Sequence, residues 1–228
     1  RSDCGGTFSI WNGPFTFTTL CAPVTTFSQN FDANTTGTTS PMPLCWSRQG
    51  TTGSSYVTTG GVAPGSAPNR LFMTSFGTTP TVAYAITPVV TNIGANTHRL
   101  RFKGYANVAD RTIDVGYLTI QGDQTTFVLL QTITFTSTTA ATAQEFYVTP
   151  NNITVGDSNL CFRLANTTVG QTSTVYLDDV FWELAPTAAP TCATTTATPN
   201  ANCGNYATVL SWPAVPGADG YLLSIGNN

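Results

Sequence analysis

The chain has 228 residues, of which only 8% are charged, and its formal net charge is −3. Nucleic acids and anionic membranes are bound through clusters of lysine and arginine, so this composition argues against both kinds of partner. Threonine, serine, asparagine and glycine must therefore supply the polar surface, which is typical of secreted or surface-displayed β proteins.

The first predicted segment is residues 1–23. Its sequence "GTFSIWNGPFTFTTLCAP" contains one or two strand patterns. Two strands do not form a stable unit by themselves. We therefore interpret this segment as the C-terminal strands of a module whose beginning is missing.

A β-sandwich is predicted over residues 24–186, where alternating apolar residues recur between turns rich in Gly, Pro, Asn and Asp. The clearest predicted strands are 81–90, 97–106, 111–120, 126–136, 144–150, 159–165 and 173–184. Regular strands with short polar turns predict an all-β fold, an antiparallel sandwich of two sheets. Trp46 and Trp182 are expected in its core. The Gly- and Thr-rich stretch 47–73 is interpreted as a variable insertion without an assigned role.

The C-terminal part divides into a linker and a second incomplete module. Residues 187–204 are rich in Pro, Ala and Thr and cannot build a core. Residues 205–228 contain two strand patterns, "TVLSW" and "GYLLSIG", around a Pro/Gly turn. No apolar run reaches the roughly 20 residues of a membrane span.

Six cysteines predict disulfides formed in an oxidising, extracellular compartment. They are Cys4, Cys21, Cys45, Cys161, Cys192 and Cys203. None belongs to a CxxC pair, and a chain with one histidine is a poor candidate for a zinc site. The spacing suggests Cys4 with Cys21, Cys192 with Cys203 and, by elimination, Cys45 with Cys161. This is one of fifteen possible connectivities.

Two adjacent acids interrupt the last predicted strand, "TVYLDDVFWELAP". Asp178 and Asp179 would point to opposite faces of a regular strand, so they share a face only if the chain bulges there. The apolar residues around them, among them Val175, Leu177 and Phe181, are expected in the core.

A row of cations lies on one predicted strand. Arg99, Arg101 and Lys103 share a face by alternation, with Tyr105 in line. Such a row could bind acidic sugars or the carboxylates of a partner. The alternative is a solvated sheet face whose charges are paired with Asp114 across the ladder.

Catalytic motifs are absent from the sequence. The single histidine, His98, has no nucleophile or metal-ligand pattern around it, and Glu145 and Glu183 are the only glutamates. The chain is therefore predicted not to be an enzyme.

Both ends resemble fibronectin type III modules of Bacteroidetes surface proteins. The likeness at the C-terminal end lies in "LSWPAVPGADGYLLSIG", with Trp212 and Tyr221, and at the N-terminal end in "SIWNGPFTFTTLCAP", with Trp11 and Phe17. The resemblance implies partial fibronectin type III-like strands at both ends of the chain.

The middle resembles the MAM-like jelly-roll domains of the same proteins, which are akin to cleaved-adhesin domains. The order of its motifs carries the likeness: "FSQNFDA", "PMPLCWS", "LRFKGYA", "IDVGYLTI" and "VYLDDVFWELAP". The resemblance implies an antiparallel jelly-roll sandwich in a secreted or outer-surface modular protein, exported by the type IX route.

The same resemblance implies a structural Ca²⁺ ion where the first and last strands of the jelly roll meet. Asp32, Asn34, Asp178 and Asp179 would then be its ligands, and oxygen donors of this kind suit Ca²⁺. The alternative is that one aspartate binds backbone amides or caps a turn while the other faces solvent.

The function expected from these patterns is that of a non-catalytic adhesion or structural module in a repetitive bacterial surface protein or filament. Its partners would be carbohydrate or protein on cell surfaces, or further copies of the chain paired by strand exchange. The alternative is an accessory carbohydrate-binding module of a secreted hydrolase.

Overall fold

Fifteen β-strands and three single turns of 3₁₀ helix make up the secondary structure of the described residues. The computed structural model describes residues 3–4, 7–8, 21–50, 54–76, 81–166, 172–186, 196–198 and 209–211. In chain order the strands are β1 (Asp3–Cys4), β2 (Thr7–Phe8), β3 (Phe27–Gln29), β4 (Ser47–Gly50), β5 (Ser54–Thr59), β6 (Asn69–Ser75), β7 (Thr81–Val90), β8 (His98–Ala106), β9 (Arg111–Leu118), β10 (Phe127–Phe135), β11 (Gln144–Val148), β12 (Ser158–Asn166), β13 (Ser173–Leu184), β14 (Thr196–Thr198) and β15 (Val209–Ser211). The 3₁₀ turns span Ile93–Ala95, Gln124–Thr126 and Ala140–Thr142. The chain forms two units, Arg1–Glu183 and Leu184–Asn228.

Two antiparallel sheets face each other in the first unit. The five-stranded sheet has the order β10-β9-β12-β7-β4, and the six-stranded sheet has the order β11-β8-β13-β6-β5, with β3 paired to β13. Alternate residues of both sheets fill one core, in which the rings of Phe102 on β8 and Phe162 on β12 are 5.1 Å apart. The predicted all-β fold, an antiparallel sandwich, is confirmed.

The seven predicted strands correspond to β7 through β13. The bounds of β7 and β13 are those predicted, and Trp46 and Trp182 lie in the core as expected. The stretch 47–73, interpreted as an insertion, instead contributes β4, β5 and β6. It does so because Val57, Leu71 and Met73 are fully buried, which gives this Gly- and Thr-rich segment its own share of the core.

The chain ends contain short antiparallel pairs. In the first unit β1 pairs with β2, and in the second unit β14 pairs with β15. β14 belongs to the segment 187–204 that was predicted to be a linker, whereas β15 belongs to the predicted strand "TVLSW". Trp11, Phe17, Trp212 and Tyr221 lie outside the described residues. The fibronectin type III assignment of both ends, like the predicted domain boundaries, stays a prediction.

One disulfide joins Cys21 to Cys45, with their Cα atoms 5.6 Å apart. The predicted pairs Cys4–Cys21 and Cys45–Cys161 are therefore wrong. Cys161 is a buried free thiol on β12, and Ile86 and Leu118 pack against it on the far side of the sheet from the main core. Spacing along the sequence did not predict the disulfide correctly, because the order of the strands determines which cysteines lie close together. The side chain of Cys4, and Cys192 and Cys203, lie outside the described residues.

His98 belongs to a buried polar network at one end of the sandwich. Its ring stacks on Trp182 with the centroids 5.4 Å apart. The Trp182 indole N–H donates to Oδ1 of Asn92 at 2.8 Å, so the amide group of Asn92 faces His98 and donates to its Nε2 at 3.1 Å. This contact favours the neutral ring of His98, in which the Nε2 lone pair accepts from the amide.

The contribution of His98 to the free energy of unfolding should fall as the pH is lowered through 6.5, although Asp178, whose pKa is raised to about 7, acts in the opposite direction over the same range. Burial lowers the pKa of His98 below its ordinary value of 6.5, so the unfolded chain binds this proton more readily than the folded chain. The contribution of neutral His98 is complete above pH 6.5 and is lost as the pH falls towards the folded-state pKa. Urea unfolding across this range, compared with His98→Gln, measures the effect; an equal slope in both proteins would contradict it.

Candidate functional site

The adjacent acids of β13 lie in a bulge. Leu177 and Val180 are both fully buried although they are three residues apart, and Asp179 has a positive φ of 47°. Up to Leu177 the strand pairs with β6, and from Val180 onwards it pairs with β3. The two aspartates thus occupy the junction where one edge of β13 passes from one partner strand to the next. The bulge that the sequence analysis required for the two acids to share a face is therefore present.

Asp178 is the buried member of the pair, with 7% of its surface exposed. Its Oδ1 accepts from the backbone N–H of Asp179 at 2.8 Å and from Oγ of Ser66 at 3.3 Å. Burial raises the pKa of Asp178 to about 7, and the neighbouring charges of Asp179 and Asp32 act in the same direction. Asp178 is therefore a carboxylate that nearby positive charge would stabilise.

The turn after β3 reaches the same junction and is fixed by Asn69. The Asn69 backbone N–H donates to Oδ1 of Asp32 at 2.9 Å, and its side-chain amide donates to the backbone oxygens of Asp32 and Asn34, each at 3.1 Å. Asn69 is 5% exposed. A buried amide thus holds both residues of this turn that were predicted as metal ligands.

The structure brings the four predicted metal ligands to one junction but gives them different surroundings. The charge of Asp32 contributes to the raised pKa of Asp178, whereas the carboxylate of Asp179 pairs with Lys103 at 3.1 Å. Among the described residues, no group of three or more His, Cys, Asp or Glu is arranged to hold a metal ion. Ligands for Ca²⁺ would have to include backbone or amide oxygens, which this ion accepts.

The Arg101 face is the outer side of the six-stranded sheet around Arg99, Arg101, Lys103 and Glu183. Arg99 pairs with Glu183 at 2.7 Å, and Arg101 pairs with Glu183 and Glu145, both at 3.0 Å. Although burial opposes it, the hydrogen bonds from Arg101 and Arg99 lower the pKa of Glu183. Each cation of the predicted row therefore has a carboxylate partner within the chain.

The prediction that Asp114 pairs with this row of cations is wrong. Asp114 lies on β9 of the other sheet, where it pairs with Arg163 at 2.7 Å. Phe181 was expected in the core, but it is only half-buried and lies on the Arg101 face, with the Arg101 guanidinium 4.1 Å from its ring centroid. The bulge causes this change, because it shifts the alternation of β13 by one residue.

Tyr105, expected in line with the cations, is only 7% exposed. Its ring stacks on Tyr176 with the centroids 4.6 Å apart, and the guanidinium of Arg70 lies 4.3 Å from the Tyr176 ring. Gly61 and Gly65, from the loop between β5 and β6, line the same narrow pocket as Tyr105. This loop was not part of the predicted site. Ligand binding by the cation row stays a prediction.

A second cluster, not anticipated from the sequence, lies on the outer side of the five-stranded sheet. We call it the Tyr84 face; it consists of Tyr84, Asp114, Phe127, Thr132 and Arg163. Oδ2 of Asp114 accepts from Arg163, and Oδ1 accepts from the Thr132 hydroxyl at 2.6 Å. The Arg163 guanidinium lies 4.3 Å from the Phe127 centroid, and the Phe127 and Tyr84 rings are 6.4 Å apart.

Alternation along three strands builds the Tyr84 face. Tyr84 lies between the core residues Ala83 and Ala85, and Arg163 lies between the core residues Phe162 and Leu164. Asp114 is likewise placed between Ile113 and Val115 on β9. This alternation was visible in the sequence, but the order of the strands, which unites the three side chains, was not.

Gly116 leaves the space that the Phe127 ring occupies on the Tyr84 face. A Cβ atom at position 116 would come within 2.6 Å of the Phe127 ring and 2.1 Å of the backbone oxygen of Val128. Any other residue would therefore displace the ring.

Comparisons with known proteins support the fold. No protein-family model and no curated protein matches the sequence. Among solved structures, the K2 cleaved adhesin domain of Lys-gingipain is 14% identical, with a TM-score of 0.50 over 70% of this chain and 99% of that domain. The K1 cleaved adhesin domain of Lys-gingipain from Porphyromonas gingivalis W83 is 21% identical, with a TM-score of 0.49 over 71% of this chain and 99% of that one.

A further similar structure is the CBM22-1 xylan-binding domain of Paenibacillus barcinonensis Xyn10C. It is 12% identical, with a TM-score of 0.44 over 74% of this chain and all of that domain. The likeness to the K2 domain supports the β-sandwich fold. Within the described ranges no helix has the length and apolar character needed to cross a membrane.

Proposed function

We propose that the chain is a non-catalytic extracellular binding module that acts in adhesion. The Tyr84 face carries the proposal, because it places aromatic rings beside an Arg–Asp pair on a rigid sheet without an evident nucleophile or base among its members. Rigid elements hold binding groups more exactly than loops do. The likeness in fold to a cleaved adhesin domain and the Cys21–Cys45 disulfide, which suits an oxidising compartment, support it further.

In this proposal the module belongs to a repetitive bacterial surface protein. Each copy binds weakly, and repetition along one chain converts weak contacts into firm attachment through effective concentration. Export by the type IX route and assembly by strand exchange between copies remain part of the proposal. The resemblance of the sequence motifs to those of Bacteroidetes surface proteins supports the export route.

Adhesion can be tested with beads that carry the purified chain. Coated beads should attach to a monolayer of cultured epithelial cells more than albumin-coated beads do, and free chain should compete for the attachment. Attachment equal to that of albumin-coated beads would contradict the proposal.

The second candidate function is that of a carbohydrate-binding module attached to a secreted hydrolase. Tyr84 and the Asp114–Arg163 pair favour it, because a ring beside fixed hydrogen-bonding groups suits sugars. The full reading frame separates the two candidates. Further repeats around this chain would favour adhesion, whereas a catalytic domain would favour the second candidate.

A structural Ca²⁺ ion at the strand junction is a further part of the proposal. Asp178 supports it, because this buried carboxylate has a raised pKa and its acidic neighbour Asp179 is already paired with Lys103. Asp32, Asn34 and Asp178 would provide the oxygens, and Asp179 would join them only by leaving Lys103. The ion would place positive charge next to the Asp178 carboxylate and would connect the turn after β3 to β13.

Calcium should stabilise the chain after treatment with a chelator. At a hundredfold excess over its Kd a ligand adds about 2.7 kcal/mol to the free energy of unfolding, so the melting temperature should rise on titration with CaCl₂. In Asp178→Asn the response should disappear, since the neutral amide no longer attracts the ion. Asp114→Asn, an acid of the other sheet, should keep it.

This test separates the metal site from general loss of structure. In chelator at pH 8, Asp178→Asn should be at least as stable as the wild type, because it removes the cost of ionising a buried carboxyl group. An equal calcium response in wild type and Asp178→Asn, or none in the wild type, would contradict the site.

A further inference from the structure

We propose that the Tyr84 face is a binding site for neutral saccharides. The inference rests on the proposed function, because it names the class of ligand through which the module would adhere. Its basis is the charge balance of the face and the pairing of its polar groups with aromatic rings.

Arg163 and Asp114 are the charged side chains of this face among the described residues, and they neutralise each other. Nε and Nη2 of Arg163 donate to the same carboxylate oxygen of Asp114 at 3.2 and 2.7 Å. Their side chains remain 31% and 18% exposed, so both can still reach a ligand. An ionic ligand would leave one charge of the pair without its partner, whereas a neutral ligand keeps the pair intact.

The remaining groups are suited to hydroxyl-rich rings. Tyr84 and Phe127 are half-buried, and burial raises the pKa of the Tyr84 hydroxyl, which therefore stays protonated as a donor. Thr132 is exposed beside Asp114. A pyranose has an apolar C–H face that an aromatic ring can cover and hydroxyl groups that both accept and donate, as these side chains require.

Polar groups extend the face towards the neighbouring edge strand. Gln49 on β4 lies opposite Tyr84 on β7, and its Nε2 donates to the backbone oxygen of Gly122 at 2.8 Å. At the other edge Leu129 on β10 is 49% exposed. The five strands, at about 4.8 Å each, span a width that exceeds a single sugar ring, so an oligosaccharide fits better than a monosaccharide.

The Arg101 face does not offer the same chemistry. Guanidinium groups already cover its rings: Arg99 lies 4.3 Å from the Tyr147 centroid, and Arg101 lies 4.1 Å from that of Phe181. A sugar would have to displace these cations from both their rings and their carboxylates. On the Tyr84 face Arg163 covers Phe127 at 4.3 Å in the same way, so Tyr84 is the ring that we propose receives the sugar.

The test is titration calorimetry with the full chain and soluble polysaccharides. Xylan, mixed-linkage β-glucan and galactan are the neutral probes, and polygalacturonate and heparin are the acidic ones. At least one neutral probe should bind saturably, with an affinity that changes little between about 0.05 and about 0.5 M NaCl, because no ion pair with the ligand is broken.

Three variants locate the site. Tyr84→Ala should weaken binding about tenfold, in keeping with the loss of one aromatic contact and its hydroxyl. Asp114→Asn, which keeps the shape of the side chain, should weaken it severalfold. Tyr147→Ala is the matched control on the Arg101 face and should bind as the wild type does.

Other results would overturn the inference. These are saturable binding of the acidic probes alone, the absence of binding to every neutral probe, or unchanged affinity in both Tyr84→Ala and Asp114→Asn. The adhesion assay distinguishes this failure from that of the proposed function. Bead attachment that persists in Tyr84→Ala and resists neutral polysaccharide would contradict only the saccharide site, whereas saccharide binding without bead attachment would contradict only adhesion.

Discussion

Replacing Trp182 by alanine should lower the free energy of unfolding by about 3–5 kcal/mol, the usual cost of removing a buried large aromatic side chain. Trp182 is 1% exposed and packs between the two sheets. The substitution also removes the indole N–H that donates to Asn92 at 2.8 Å and the ring on which His98 stacks. Urea unfolding at pH 7.5 measures the loss.

Trp182→Phe is the control, because it keeps an aromatic ring and deletes the N–H. Trp182→Phe should lower the free energy of unfolding less than Trp182→Ala does. The loss should come from the unpaired Oδ1 of Asn92 together with the smaller volume of the side chain. Equal stability of wild type and Trp182→Ala would contradict the position assigned to this residue.

Removing the Cys21–Cys45 disulfide should cost about 3 kcal/mol. The two residues are 24 positions apart, and a cross-link of that span restricts the unfolded chain by roughly this amount. The variant with Cys21→Ser and Cys45→Ser together should therefore unfold at lower urea concentration than the wild type.

Cys161 provides the control for this pairing. Cys161→Ala should leave the disulfide intact, so a peptide containing Cys21 should remain linked to one containing Cys45 after proteolysis without reductant. In the wild type, recovery of Cys45 linked to Cys161 would contradict the structure and restore the pairing expected from spacing.

The sequence was most informative where the determinant is local. Alternation along one strand located β7 and β13 residue by residue, since a buried face needs no knowledge of the partner strand. β5 and β6 were missed because Ser, Thr and Gly dominate their surroundings, and the burial of Leu71 and Met73 follows from packing against distant strands.

The candidate sites show the same limit. Arg99, Arg101 and Lys103 were placed correctly on one face, but their acidic partners come from β11 and β13, and no local pattern identifies them. The Tyr84 face was missed entirely, because its members are brought together by strand order alone. Asp178 and Asp179 were recognised as unusual since they break a strict local rule.

The disulfide also determines how the sandwich would carry a mechanical load. The chain enters along β3 and leaves along β13, which are antiparallel neighbours, with Phe27 opposite Trp182. Pulling on both ends would separate these strands one residue pair at a time. The bond between Cys21 and Cys45 bypasses β3, however, and passes the force directly to Trp46 and β4.

Tension would thus be transmitted to β4 in the five-stranded sheet, and β3 would carry little of the force. The bond withholds the 24-residue span from extension, and this span corresponds to about 80 Å of extended chain. The crosslink thus acts as a mechanical clamp, and a sandwich stretched at both its ends would extend less in its oxidised form than in its reduced form.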